Sequence, residues 1–279
     1  MTANTWFITG ASSGFGRAFA EHALARGHNL VATARTLSAL DDMVARAPSR
    51  VLALALDVTR PDEAQAAVDA TLARFGRIDV LINNAGYGIV GAFEESSDGE
   101  LRALMETNFF GAMNVTRAAL PALRAQRGGA IVNISSLGGQ LSFAGFSAYS
   151  ATKFAIEGVS EALAQELQPF GVKVLIVEPG QFRTNLAGAS MRHMPAMEAY
   201  SEVVGGTRQF AHDMHGTQPG DPSKAAAAIE AALNAAQTPL RLQLGGDAVD
   251  AIRDHAQALL KDLEAWAPLA RDTGFQPIA

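Results

Sequence analysis

The chain has 279 residues, of which 48% are hydrophobic and 18% are charged, a composition typical of globular proteins rather than disordered or fibrous ones. Its 28 Asp and Glu residues outnumber its 22 Lys and Arg residues, so the formal net charge is -6. Such a chain lacks the positive surface that gathers nucleic acid, and we expect no nucleic-acid partner. Because it contains no cysteine, disulfides, thiolate metal sites and cysteine nucleophiles are excluded.

The N-terminal sequence MTANTWFITG has neither the basic start nor the long apolar core of a secretion signal. No apolar run in the sequence approaches the roughly 20 residues that a membrane-spanning helix needs. We therefore expect a cytoplasmic protein without a membrane span.

Short apolar runs recur along the chain, and each is followed by a segment with helical periodicity. The first six runs occupy residues 5–9, 29–34, 51–56, 80–82, 130–134 and 172–177. The runs are continuous rather than alternating between polar and apolar residues, as in strands that are covered on both faces. The pattern predicts an α/β fold in which a doubly wound parallel sheet carries helices on both faces.

One segment, residues 185–220, interrupts this rhythm. It is rich in Met, Gly and His and has no strand signal, and we interpret it as an inserted lid over the substrate site. The pattern after it predicts a helix over 222–236, a last strand over 240–244 and a helix over 247–266. Because no linker or repeat divides the chain, we predict a single domain over residues 1–279.

A glycine-rich sequence, TGASSGFG, follows the first predicted strand and precedes a predicted helix over 17–26. Glycine at positions Gly10, Gly14 and Gly16 would permit a tight turn and a close approach of the backbone to a phosphate. The helix N-terminus would add free N–H groups and the positive end of its dipole. The order is that of a dinucleotide site, although the spacing differs from the general G-x-G-x-x-G fingerprint.

Five motifs occur in the order and spacing of one protein family. They are TGASSGFG at 9–16, NNAG at 83–86, ISSLGG at 134–139, YSATK at 149–153 and EPGQFRT at 178–184. Together they resemble the single-domain branch of the short-chain dehydrogenase/reductase family, over nearly the whole chain. The resemblance implies a single-domain Rossmann fold with a seven-stranded sheet, and an NAD(P)-dependent oxidoreductase acting on alcohols and carbonyls. EPGQFRT and the later RLQLGGDA resemble hydroxysteroid and retinol dehydrogenases, which favours a bulky ketone or secondary alcohol.

The resemblance also implies which residues bind the nicotinamide cofactor. They are Gly10, Ser12, Ser13, Gly14, Phe15, Gly16, Asp57, Val58, Asn84, Ala85, Gly86, Tyr149, Lys153, Pro179, Gly180 and Thr184. Asp57 and Val58 would contact the adenine, and Thr184 would lie near the carboxamide. Asn83 would mainly stabilise the sheet. Without the resemblance, NNAG and the Pro-Gly pair are ordinary strand-ending turns.

Arg35 stands at the end of the second predicted strand, where an NAD-selective site would place an acid for the ribose hydroxyl. Its guanidinium could instead pair with the 2'-phosphate of NADP, so we predict NADP(H) over NAD(H). The alternative is a solvated arginine, with Asp41 or Asp42 reaching back to the ribose.

Tyr149 and Lys153 are four residues apart in a predicted helix over 148–168, so both side chains face one bound molecule. A phenol of pKa about 10 is a poor base at neutral pH, and lowering that pKa by about three requires roughly 4 kcal/mol of preferential phenolate stabilisation. Lys153 and the oxidised nicotinamide have the charge to provide it. Tyr149 is therefore the predicted general acid and base, with Lys153 also bonding the nicotinamide ribose.

Two more residues complete the predicted catalytic set. Ser136 follows a strand whose end should face the cleft, and the resemblance implies that it holds the substrate carbonyl oxygen beside Tyr149. Ser135 is its competitor, and the S-L-G-G context selects Ser136. Asn108 lies in a predicted helix over 100–120, where asparagine is unfavourable. The resemblance places Asn108 beside Lys153, holding a water that relays protons. The alternative is a structural role, in which the asparagine caps or kinks the helix.

The predicted lid is rich in flexible apolar side chains, which suit an apolar substrate. They are Leu186, Met191, Met194, Met197, Tyr200 and Phe210. A small satellite core beneath a long loop would show the same composition. His212 and His215 are the only metal-ligand types that stand out there, and without supporting carboxylates we predict no metal.

Two other functions share some of these features. A cofactor-sensing regulator without turnover would keep the dinucleotide fold but would not need Asn108, Ser136, Tyr149 and Lys153 together. A nucleotide-sugar epimerase or dehydratase would need more chain after Thr184 than this sequence has. The resemblance further implies a homodimer or homotetramer through the helices over 100–120 and 148–168.

Overall fold

The computed structural model describes residues 3–275 of the chain. The strands are β1 (Thr5–Ile8), β2 (Asn29–Ala34), β3 (Val51–Ala55), β4 (Val80–Asn83), β5 (Gly88–Val90), β6 (Ala130–Ile134), β7 (Lys173–Pro179), β8 (Met191–His193) and β9 (Arg241–Leu244). Seven of them form one sheet in the order β3-β2-β1-β4-β6-β7-β9, and all of its neighbours are parallel. The predicted seven-stranded parallel sheet is confirmed.

Successive side chains of β1 point into two different cores, as the continuous apolar run predicts. Trp6 and Ile8 are buried in the core on one face of the sheet. Phe7 is buried in the core on the other face. Because a strand alternates its side chains between faces, a run buried at every position requires layers on both sides.

The helices form those two layers. They are α1 (Gly14–Ala25), α2 (Asp41–Arg46), α3 (Pro61–Phe75), α4 (Asp98–Met105), α5 (Gly111–Gln126), α6 (Ser147–Leu167), α7 (Ser201–Asp213), α8 (Pro222–Asn234) and α9 (Gly246–Arg271). Buried residues of α1 and α8 pack in the core with Trp6. Buried residues of α3, α5 and α6 pack in the core with Phe7. The doubly wound architecture predicted from the sequence is therefore confirmed.

The predicted helix over 100–120 is interrupted by a π turn at Glu106–Phe110, which joins α4 to α5. Asn108 lies in that turn and is only 3% exposed. Its amide bonds to the backbone of Tyr87 and to the hydroxyl of Thr152. The wider turn accommodates a buried polar side chain that makes three hydrogen bonds inside the protein, which accounts for the asparagine there.

Two other helix boundaries differ from the prediction. The first helix starts at Gly14 rather than at residue 17, inside the glycine loop. Helix α5 continues through Pro121 to Gln126. The side-chain amide of Gln126 donates to the carbonyl oxygen of Ile78 at 2.7 Å, and this bond holds the last turn against the sheet.

The segment over 185–220 contains a strand, contrary to the prediction that it has none. Strand β8 pairs in parallel with β5, with Ile89 opposite Arg192. A three-residue strand, Met-Arg-His, is too short to show an apolar pattern, so its partner rather than its sequence defines it. Helix α7 follows β8 along the chain.

Helix α9 is longer than the predicted 247–266 and projects from the sheet. Its first turn is anchored by Ala248, which is fully buried. Further along, Leu259, Leu263 and Trp266 are each more than half exposed. Over the part of the chain that the structure describes, no helix combines the length and the hydropathy needed to cross a membrane.

Candidate active site

A cleft of about 880 Å³ lies at the carboxyl ends of the parallel strands, where open α/β sheets bind their ligands. Nearly all of the predicted site residues line it. Those residues are Gly10, Ser12, Ser13, Gly14, Phe15, Arg35, Asp57, Val58, Asn84, Ala85, Gly86, Ser136, Tyr149, Lys153, Pro179, Gly180 and Thr184. Gly16 and Asn108 lie behind the cleft wall and act through their neighbours.

The glycine loop has the shape of a phosphate cradle. Gly10 and Gly14 adopt φ of +67° and +55°, a left-handed backbone that side chains other than glycine rarely adopt. At Gly16 an added Cβ would lie 2.2 Å from the carbonyl oxygen of Gly10, so helix and loop could not pack this closely with any other residue. Ser13 caps α1 with an extended backbone, which directs the first-turn N–H groups into the cleft. These features fit a dinucleotide.

The NNAG motif braces that cradle. The side-chain amide of Asn84 donates to the carbonyl oxygens of Thr9 at 2.9 Å and of Gly10 at 3.3 Å. In return the hydroxyl of Thr9 accepts from the backbone N–H groups of Asn84 and Ala85. Thr9 therefore fixes the loop from below. Sequence reasoning missed this role, although the residue stands in the first motif.

Asn83 plays a structural part, as the sequence predicts. Its amide donates to Thr116 on α5 and to Asn133 on β6, both at 2.8 Å. Asn133 in turn donates to Ser160 on α6 at 2.8 Å. This buried chain of hydrogen bonds ties two strands to two helices beneath the cleft and keeps the catalytic helix in register with the sheet.

Arg35 is exposed at the tip of β2 and shares the end of the cleft with Asp57. The backbone N–H and the hydroxyl of Thr59 both donate to the Asp57 carboxylate, and these bonds hold its pKa below the usual range. Asp42, the proposed alternative ribose partner, instead accepts from Arg17 at 2.9 Å on the outer side of α1. That pairing leaves Arg35 as the charged group at the strand tip.

Tyr149, Ser136 and Lys153 meet at the middle of the cleft. The first turn of α6 brings Tyr149 beside Ser136, whose hydroxyl acts to lower the pKa of the phenol. The Lys153 Nζ lies 5.5 Å from the centre of the Tyr149 ring and donates to the carbonyl oxygen of Ile134 at 2.8 Å. Ser135 lies deeper, beside Glu157. The structure therefore places Ser136, rather than its neighbour, next to the phenol.

Burial dominates the electrostatics of this group. Burial raises the pKa of Tyr149 to about 12, and the neighbouring Ser136 hydroxyl offsets only part of that effect. Desolvation lowers the pKa of Lys153 to about 8, opposed by the charge of Glu157. The expectation that Lys153 depresses the pKa of Tyr149 is therefore not met in the protein alone, because the ammonium is bonded to Ile134 and is itself desolvated.

Asn108 lies in the π turn before α5, and its side chain contacts Thr152, the residue before Lys153. Its side-chain oxygen accepts from Tyr87 N at 3.0 Å, and its nitrogen donates to Tyr87 O at 2.9 Å and to Thr152 Oγ1 at 3.1 Å. The amide thereby links the segment at Tyr87 to α6, and the role of Asn108 in holding a water beside Lys153 stays a prediction. Thr152 in turn donates to the carbonyl of Tyr149 at 2.8 Å. Asn108 therefore positions the turn that carries the phenol.

A cluster of buried acids lies behind the catalytic helix, and sequence reasoning missed it. Glu157 and Glu178 are 5% and 0% exposed, and Arg241 bonds to them at 3.0 and 3.2 Å. Gln140 also donates to both carboxylates. Two signals were available in the sequence. Glu178 interrupts the apolar run of β7, and Glu157 follows Lys153 by four positions on the same helix.

The lid side chains divide between the cleft and a small separate core. Leu186, Met191 and Phe210 line the cleft with Phe143 and Phe146 from the opposite wall. Two other residues of this segment pack elsewhere: Met194 is buried with Ile89 and Leu104, and Tyr200 donates to Glu94 at 2.6 Å. His212 contacts Asp213 and His215 packs on Gly188. Within residues 3–275, no group of three metal-ligating side chains converges.

The chain matches known proteins over most of its length. Residues 4–195 match the sequence profile of short chain dehydrogenases. The crystal structure of a short-chain dehydrogenase from Streptomyces avermitilis is 53% identical, with a TM-score of 0.93 over 98% of this chain and 99% of that one. A short-chain dehydrogenase/reductase from Burkholderia phymatum, solved in complex with NAD, is 26% identical, with a TM-score of 0.81 over 93% and 95% of the two chains.

A curated relative agrees with these structures. The protein called Oxidoreductase BOA17 from Botryotinia fuckeliana is 41% identical over 266 residues, which cover 95% of this chain and 97% of the relative. The resemblance drawn from the five motifs is therefore confirmed, and this chain belongs to the short-chain dehydrogenase/reductase family of NAD(P)-dependent oxidoreductases.

Proposed function

We propose that the chain is an NADP(H)-dependent reductase that interconverts a carbonyl and a secondary alcohol on a bulky, largely apolar substrate. The observation that carries this proposal is the meeting of Tyr149, Ser136 and Lys153 on the wall of a cleft that also contains the glycine cradle. A protein that only senses the cofactor would need the cradle but not these three side chains.

The cleft has the features that a nicotinamide dinucleotide requires. The cradle at Gly10 to Gly16 would hold the pyrophosphate, and Asp57 the adenine end. Arg35 supports a preference for NADP, because its guanidinium is exposed at the strand tip while Asp42 is engaged by Arg17. When bound, the cofactor supplies or accepts a hydride at its nicotinamide ring.

The protein's own residues would manage the proton. With a pKa of about 12, Tyr149 is protonated at neutral pH and can donate to a carbonyl oxygen as that oxygen gains charge. Ser136, which lies beside the phenol, would hold the same oxygen. Lys153, with a pKa of about 8, is mostly cationic at pH 7 and would stabilise the phenolate that Tyr149 becomes. This electrostatic arrangement favours reduction of the carbonyl over oxidation of the alcohol.

The substrate would occupy the apolar half of the cleft. Phe143, Phe146, Met191 and Phe210 line that half, between β6, α6 and the lid. We propose that the segment over 185–220 closes on the substrate, since it contributes one whole wall. Its flexible thioethers would adapt to the shape of a large apolar molecule.

The test is the rate of NADPH and NADH oxidation with a panel of aromatic, steroidal and aliphatic ketones. We expect turnover with NADPH, and a fall of about 10²- to 10⁴-fold in kcat for Tyr149→Phe, because a positioned general acid is worth that much. Tyr200→Phe is the matched control, since that phenol bonds Glu94 outside the cleft. Tight NADPH binding without oxidation of NADPH by any carbonyl would support a sensor instead.

We also propose a homodimer or homotetramer that works in the cytoplasm, assembled through α5 and α6. Phe110, next to α5, and Phe154, on α6, are 45% and 47% exposed. Two large aromatic side chains left in water on adjacent elements are typical of a surface that a second copy covers.

A further inference from the structure

Five charged side chains are among the described residues that line the cleft, and four of them have an evident role. Arg35 and Asp57 mark the adenosine end. Lys153 bonds to Ile134 at the catalytic centre, and Asp247 accepts from the backbone N–H of Gln181 at 2.7 Å. The fifth is Arg192, on the lid strand β8 at the substrate side, and neither the cradle nor the proton transfer uses it.

Arg192 is held in place by an aromatic platform. Its guanidinium carbon lies 4.5 Å from the centre of the Tyr87 ring, within the range of a cation–π contact. The backbone of Tyr87 is clamped by two hydrogen bonds from the side chain of Asn108. Tyr87 and Tyr149 also pack against one buried cluster that contains Ile89. The guanidinium therefore has a defined position relative to the catalytic phenol.

The guanidinium has no acid of its own in the protein. Across residues 3–275, no carboxylate oxygen lies within 4.0 Å of an Arg192 nitrogen. The nearby Glu100 is engaged as a helix cap, where it accepts from the N–H and the hydroxyl of Ser97 at 3.0 and 2.8 Å. By contrast, Arg208 in the same lid is paired with the buried Glu95. Arg192 thus faces the cleft with its hydrogen-bond donors available.

We infer that Arg192 binds a carboxylate of the substrate, so that the reductase acts on keto acids with an apolar body. The planar guanidinium fork matches a carboxylate in geometry and charge. Phe146 and Phe210 would hold the body between the carboxylate and the reacting carbonyl. This inference rests on the proposed reductase function and specifies its substrate class.

The test compares a keto acid with an uncharged analogue of the same skeleton, gamma-benzoylbutyrate and its methyl ester. In the wild type we expect kcat/KM for the acid to exceed that for the ester by about 10-fold or more, mostly through KM. Arg192→Gln should remove that preference while leaving the rate with the ester within about twofold. His193→Gln, at the neighbouring exposed position outside the cleft, is the matched control and should keep the preference.

The same preference in Arg192→Gln as in the wild type would overturn the inference, even if both proteins reduce the ketone. Failure of the reductase function is recognised separately, as loss of NADPH oxidation with acid and ester alike. In that case calorimetric titration of gamma-benzoylbutyrate into the protein still decides. Binding that weakens about 10-fold in Arg192→Gln supports the anion site. Equal binding by Arg192→Gln and the wild type, or no binding by the wild type, rejects it.

Discussion

At the scale of single residues, the site depends on side chains whose partners are fixed by the backbone around them. Burial raises the pKa of Tyr149 and so keeps the phenol protonated, as its proposed role as an acid requires, and Thr152 donates to its backbone carbonyl. The motif YSATK was enough to locate the phenol and the ammonium. It was not enough to predict their pKa values, because desolvation depends on the packing of distant segments.

Arg35 carries the prediction of cofactor preference. We expect Arg35→Gln to raise KM for NADPH by about 10- to 100-fold, because a charge-assisted bond to the 2'-phosphate is lost. The kinetics with NADH serve as the internal control and should hardly change, since that cofactor has no such phosphate. Equal effects on both cofactors, or none on either, would show that Arg35 is only a solvated surface residue.

At the scale of elements, the lid is connected to α6 through two features. They are the π turn between α4 and α5, and the pairing of β5 with β8. Asn108 bonds Tyr87, just before β5, and Thr152 on α6. These contacts join the segment before β5, the partner strand of β8, to the helix that carries Tyr149. They also explain why an asparagine is found where a regular helix would disfavour it.

The buried acid cluster behind α6 predicts a pH dependence of stability. Burial raises the pKa of Glu157 above its ordinary 4.5, so the folded state holds this proton at a pH where the unfolded chain has released it. The stabilisation is complete below pH 4.5 and is lost as the pH rises through the raised pKa. The unfolding free energy should therefore fall less steeply in Glu157→Gln than in the wild type as the pH rises from 4.5 through the raised pKa.

Urea unfolding at several pH values measures this effect. A tenfold change in proton affinity is worth about 1.4 kcal/mol, and we expect a difference between the two proteins of this order. Glu161→Gln is the control, because Glu161 bonds to the same Arg241 but is half exposed. Parallel curves for the wild type and Glu157→Gln would contradict the account of the cluster.

The sequence was sufficient to predict the regular elements of the sheet. It was insufficient for features that are defined by contacts with distant segments of the chain. Continuous apolar runs identified six of the seven strands of the sheet, because burial on both faces leaves a direct trace in composition. The last strand, over 240–244, alternates apolar and polar residues instead. Strand β8 has only three residues and no such trace. No sequence motif marks Arg192 either. Its proposed role depends on the Tyr87 ring beneath its guanidinium and on the absence of a carboxylate within 4.0 Å among residues 3–275.

At the scale of the whole molecule, two exposed apolar surfaces compete as sites of self-association. The first carries Phe110, next to α5, and Phe154, on α6. The second carries Leu263 and Trp266 on α9. The family resemblance favours the first. Because Phe154 lies on α6, the helix that carries Tyr149 and Lys153, assembly through this surface would make oligomerisation and the shape of the site interdependent.

Sedimentation velocity distinguishes the two surfaces. We expect Phe154→Ser to shift the protein toward a smaller species, because about half of this ring is left in water in the single chain. Phe93→Ser is the control, as Phe93 is 67% exposed on the segment before α4. An unchanged assembly in Phe154→Ser, together with dissociation in Trp266→Ser, would place the interface on α9 instead.

The most direct test of the whole account is the transfer of deuterium from NADPH, labelled at the reactive nicotinamide carbon, to the best ketone of the panel. We expect mass spectrometry to find a single deuterium on the carbinol carbon of the product with the wild type, and almost none with Tyr149→Phe over the same time. Unlabelled ketone recovered intact from the wild type, despite bound NADPH, would contradict the account and identify the protein as a cofactor sensor.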